Sequence, residues 1–142
     1  MNILFLVHIE EMFRDSFPYY DYPSRVVKII ESNQFDEIYL LCSTIESIHP
    51  QPIEELRYFN FPTIEWSWGY EPCMFDDDDE KSWVIQSYGH EYTWIPPELR
   101  TSRFDYANIF VGGGYESECL EDFVNILDHL NLKYEKVREL IY

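Results

Sequence analysis

Three short apolar runs punctuate the chain, over residues 3–9, 37–42 and 107–111. Each has strand length and none alternates, the pattern of a strand covered on both faces. Segments of crossover length separate them. Pro23 can open a helix, because its missing N–H costs nothing in a first turn. Val26, Val27 and Ile30 then share one side, and Asn33 is a natural stop. Leu120, Phe123, Val124, Leu127 and Leu130 recur at three- and four-residue spacing and mark one apolar helix face. Residues 134–142 read as a terminal strand.

The middle of the chain is less regular. Residues 63–68 alternate, which predicts a strand with one solvated face. Ser43-Thr44-Ile45-Glu46 has capping-box spacing, but Pro50 and Pro52 leave room only for a short helix over 52–59. Residues 83–87 and 91–95 form a predicted hairpin around Tyr88-Gly89-His90, followed by one helical turn over 97–100. Residues 10–22 are irregular, and residues 76–80 read as a solvated acidic loop. The alternation of strand and helix argues for a single α/β domain over residues 1–142. Its sheet should be mostly parallel, with helices on both faces and an aromatic hairpin as an insertion.

Composition narrows the function classes. The chain has 142 residues, 46% of them apolar and 18% aromatic, enough for a substantial core and against disorder. Lys plus Arg number 10 against 27 Asp plus Glu, a formal charge of −17. That balance opposes direct nucleic-acid and anionic-membrane binding. It suits either an acidic, soluble surface or one that docks on a basic partner. Cys42, Cys73 and Cys119 are odd in number and widely spaced, which argues against a disulfide framework or a structural zinc site. No secretory leader and no apolar run of membrane-spanning length are read in the sequence, so a cytoplasmic setting is expected.

The candidate chemistry gathers around Val111-Gly112-Gly113-Gly114-Tyr115-Glu116-Ser117-Glu118-Cys119-Leu120, a strand, a glycine turn and a helix start. α/β proteins build ligand sites at such points, on the carboxyl edge of the sheet. Gly112, Gly113 and Gly114 allow close backbone approach, with Ser117 beside them, but the pattern is neither GxGxxG nor a P-loop. Glu116, Glu118, Glu121 and Asp122 would repel a phosphate at that helix start. Cys119 sits where a helix dipole favours a thiolate nucleophile, and adjacent carboxylates work against it. His8, ending the first strand, is a candidate general base with Glu10 to orient it. His90 and Glu91 are a second candidate pair. Trp68 belongs to an aromatic cluster able to line a pocket, and Arg25 is a scarce cation able to clamp an acid. A metal site from His8, His90, Glu91 and Glu118 has no supporting ligand spacing, so none is expected, and no cofactor is indicated.

Three segments carry a resemblance: Trp68-Gly69-Tyr70-Glu71-Pro72, residues 89–100, and Gly112-Gly113-Gly114 followed by Glu118-Cys119-Leu120. They resemble small, largely uncharacterised phage-encoded α/β proteins, which implies a host-cytoplasm setting and no particular activity. A second, fainter likeness is to isochorismatase-type cysteine hydrolases, through Cys119 at a helix start after a strand and glycine turn. Those enzymes also use an acid after the first strand, where Glu10 stands, and a lysine after a middle strand. Neither Lys28 nor Lys81 is well placed for that role. The expected function is binding, with turnover as an extension, of a small nucleotide-like or aromatic ligand. The site should lie where the first and fourth major strands end. The alternative is a non-enzymatic acidic interaction protein, a phage inhibitor or nucleic-acid mimic, acting on a basic host protein.

Overall fold

A computed structural model describes residues 1–42, 51–66, 72–86 and 92–142. Seven strands are present among them: β1 (Asn2–Val7), β2 (Glu37–Cys42), β3 (Thr63–Glu65), β4 (Val84–Gln86), β5 (Tyr92–Trp94), β6 (Asn108–Gly113) and β7 (Tyr134–Ile141). Helices are α1 (Tyr22–Glu31), a single turn α2 (Asp78–Lys81) and α3 (Cys119–His129), with short 3-10 turns between elements.

Five strands make one sheet in the order β3-β2-β1-β6-β7, and every pairing in it is parallel. The three apolar runs are its three central strands. β1 explains why they do not alternate. Ile3, Phe5 and Val7 join the core on one face, while Leu4 and Leu6 join the core on the other. α3 covers the first face with Leu120, Phe123, Val124 and Leu127, and α1 covers the second with Val26 and Ile30. Each such side chain, fully buried, contributes roughly 1.5–3 kcal/mol of transfer free energy. Both helices end at an asparagine in the left-handed region, Asn33 at φ 57° and Asn131 at φ 58°. Asparagine tolerates that conformation, which stops a helix by turning its last carbonyls aside.

The predicted hairpin forms as an antiparallel pair, β4 with β5, in which Ile85 faces Thr93. Trp83 and Ile85 pack on the α3-side core, and Asn125 of α3 donates to the carbonyl of Gln86 at 2.7 Å. The insertion is therefore anchored on α3. Two local expectations change. Residues 52–59 hold only a 3-10 turn at Glu54–Leu56. Residues 76–80 are not a plain solvated loop. Asp77 accepts from the N–H of Asp79 to start α2, and Glu80 grips Arg100 at 2.8 and 3.0 Å while accepting from the Trp94 indole at 3.0 Å. A carboxylate in an acidic run was paired by a cation twenty residues away, which no local pattern announces. Among the described residues no helix is long and apolar enough to cross a membrane.

Candidate functional site at the carboxyl edge

The chain leaves β1 for α1 and β2 on one side, and leaves β6 for α3 and β7 on the other. The strand order therefore reverses between β1 and β6, and their carboxyl ends flank the crevice where open α/β sheets place ligands. β1 ends there at Val7 and His8, and β6 at Gly113 and Gly114.

His8 turns the chain out of β1 with φ 55°, a left-handed conformation unusual for a residue with a β-carbon. Such a backbone persists only where its surroundings fix it. Here the His8 N–H donates to Leu41 O at 2.9 Å, and its carbonyl accepts from the Tyr142 hydroxyl at 2.5 Å. Its Nδ1 lies 3.0 Å from Glu10 Oε2, with both residues buried. With Glu10 ionised the carboxylate only accepts, so Nδ1 would be the donor of this contact, and Nε2 would point away from Glu10. The imidazole stacks on the indole of Trp66, with ring centres 5.8 Å apart and planes inclined by 12°. Phe13 packs on it at 5.1 Å, and Tyr115 and Tyr142 continue the aromatic wall. A histidine oriented by a carboxylate and walled by aromatic rings can accept or relay a proton, and can hydrogen-bond a planar ligand.

The glycine turn provides the close backbone approach that its sequence allows. A β-carbon on Gly113, whose φ is +100°, would lie 1.9 Å from Val7 O. One on Gly112 would meet Leu140 Cβ at 2.9 Å, and one on Gly114 would meet Tyr142 O at 2.5 Å. The space beside each glycine is filled by protein. They are close-packing positions between β1, β6 and β7. Ser117 is exposed on the turn that follows.

Cys119 opens α3 and is buried, and its thiol is pushed up to about 12, by burial first and then by Asp122, Glu118 and Glu10. The helix dipole is outweighed, so the resting sulfur carries its proton. Asp122, one turn on from Cys119, is a buried carboxylate that sequence reasoning placed only in the acidic helix start. Its three-residue spacing from Cys119 was the available signal. Arg25 lies on α1, paired with Asp21 at 3.2 Å and set over the Tyr19 ring, so it is already engaged away from Glu10. Lys28 is exposed on α1 and Lys81 pairs with Asp78. Trp68, His90 and Glu91 lie outside the described residues. Trp66, the aromatic that does reach His8, was legible from the alternation that also buries Ile64. Among the described residues no group of three His, Cys, Asp or Glu side chains could hold a metal ion.

Three cavities of about 600 to 730 Å³ are lined by described residues, and none includes His8 or Glu10. No family model, no curated protein and no solved structure matches this chain.

Proposed function

We propose that the carboxyl edge between β1 and β6 binds a small aromatic or nucleotide-like molecule, with His8 as the polar group that the ligand meets. The observation that carries this reading is the buried His8–Glu10 pair, set at the strand-order reversal on a residue of unfavourable φ. A core histidine kept for packing alone needs neither a carboxylate partner nor a left-handed backbone. Acidic groups at the start of α3 disfavour a phosphate there, so recognition falls on the planar part of the ligand. If the ligand is turned over, the oriented imidazole is the base, and Cys119 is not the nucleophile. A cytoplasmic setting belongs to the same reading. A thermal-shift panel of nucleosides, nucleotides and aromatic acids tests it. A ligand that binds only the folded protein at a hundredfold over its Kd stabilises it by about 2.7 kcal/mol. The response should vanish in His8→Gln. A panel that leaves the wild type unmoved would sink the proposal.

The charge of −17 favours a second reading, a phage-encoded protein that docks on a basic host protein. Asp76, Asp77, Asp78 and Asp79 are all exposed and available for such steering. Its association rate should fall as salt rises, and fall again in Asp76→Lys/Asp78→Lys. Salt-independent binding of a small molecule with no basic partner captured would remove this alternative.

A further inference from the structure

Trp66 follows the edge strand β3 and is fully buried, and its indole Nε1 has no hydrogen-bond partner among the described residues. The indole N–H only donates, so it needs an acceptor. Leaving such a donor buried and unmet is costly, and buried donors are met in nearly all cases. A phenylalanine would fill much of the same space without that cost. Its surroundings offer aromatic surface. His8 stacks on it at 12° between planes, and Phe123 meets it at 64° with centres 6.1 Å apart. An N–H lies in the plane of its ring, so near-parallel stacking sends it past the imidazole, not onto it. The centre spacing of 5.8 Å is a stacking contact, too close for another ring to slip between the two. A ligand at this edge therefore meets ring edges. Trp94 makes the contrast within the same molecule, since its indole donates to Glu80 at 3.0 Å.

We infer that the indole N–H of Trp66 is a ligand-binding donor of the His8 site, and that the ligand presents a hydrogen-bond acceptor at its edge, a carbonyl oxygen or an unprotonated ring nitrogen. This inference rests on the reading of the carboxyl edge as a small-molecule site. The donor of Trp66 and the oriented imidazole of His8 would then read adjacent edge atoms of one planar ligand.

The test uses the full chain with ¹⁵N-labelled tryptophan, whose indole signals Trp66→Phe and Trp94→Phe assign. Without additives, the Trp66 N–H should resonate at the unbonded end of the range and the Trp94 N–H at the bonded end. A bonded Trp66 signal in the free protein would overturn the inference, because a water or protein group would already satisfy the donor. Uridine and nicotinamide supply carbonyl acceptors, and toluene supplies an aromatic ring without one. At least one of the first two should move the Trp66 signal to the bonded end and leave Trp94 in place, and toluene should not. Trp66→Phe should weaken that probe about tenfold, the loss of one hydrogen bond. A probe that raises Tm but leaves the Trp66 signal unmoved, or that binds Trp66→Phe as tightly, overturns the inference while the site reading stands. If uridine and nicotinamide neither raise Tm nor move any indole signal, the inference fails, and the wider thermal-shift panel decides the site reading separately.

Discussion

Gly113 lies so close to Val7 that a methyl group added to it would sit 1.9 Å from the Val7 carbonyl oxygen. The contact joins β6 to β1 at the point where both strands reach the candidate site. Gly113→Ala would have to move backbone, and it would also hold alanine at a φ of +100°. The expected cost is more than about 3 kcal/mol, at the upper end for single substitutions. A urea midpoint within experimental error of wild type would show that the strand ends are not packed as described.

The three cysteines should differ sharply toward alkylating reagents. Cys73 is exposed, while Cys42 and Cys119 are buried, and burial pushes the thiols of both well up. At neutral pH iodoacetamide should label Cys73 first, and the other two only on unfolding. Peptide mapping after timed quenching checks this. Rapid labelling of Cys119 in the native protein would restore it as a nucleophile.

The neutral form of His8 should carry its proton on Nδ1, because that nitrogen faces the Glu10 carboxylate at 3.0 Å. ¹⁵N shifts of the imidazole nitrogens report the tautomer directly. Glu10→Ala should shift the population toward Nε2–H, the form usually preferred in solution, and should abolish any ligand response that His8 supports. A tautomer unaffected by Glu10→Ala would mean that another group orients the ring.

Acid should loosen the junction between the turn after β1 and the Glu54–Leu56 turn. Arg14 pairs with Glu11 and Glu55 at 2.6 Å each, and Glu11 also accepts from the Glu54 N–H. Its hydrogen bond to Arg14 leads in lowering the Glu11 carboxyl from 4.5 to about 2. A carboxyl lowered on folding adds stability above its unfolded value, and loses it as pH falls from about 4.5 towards 2. The groups are about a third exposed, so solvent screening limits the gain to about 1 kcal/mol. Urea midpoints between pH 6 and pH 2.5 should fall less steeply in Arg14→Met than in wild type. Parallel curves would assign the acid sensitivity elsewhere.

The hydrophobic pattern by itself determined the centre of the sheet. Strands buried on both faces have no polar side to alternate, so β1, β2 and β6 stand out as unbroken apolar runs, and helices that cover a sheet must carry an apolar stripe. The parallel pairing followed, and with it the strand-order reversal between β1 and β6, because crossovers of that length leave few topologies. The pairing of His8 with Glu10 was legible too, since both lie within three residues beyond β1 and two residues from each other. Other features depended on tertiary contact. The glycines were readable as permissive, but what fills the space beside them, Val7, Leu140 and Tyr142, comes from strands distant in sequence. The Cys119 thiol could have gone either way from local charge. Burial under the first turn of α3 decided it. Glu80 looked solvated until Arg100 and Trp94 were brought to it. Local sequence fixes periodicity and backbone freedom, whereas burial, partner choice and the filling of space are set by residues that meet only when the chain has folded.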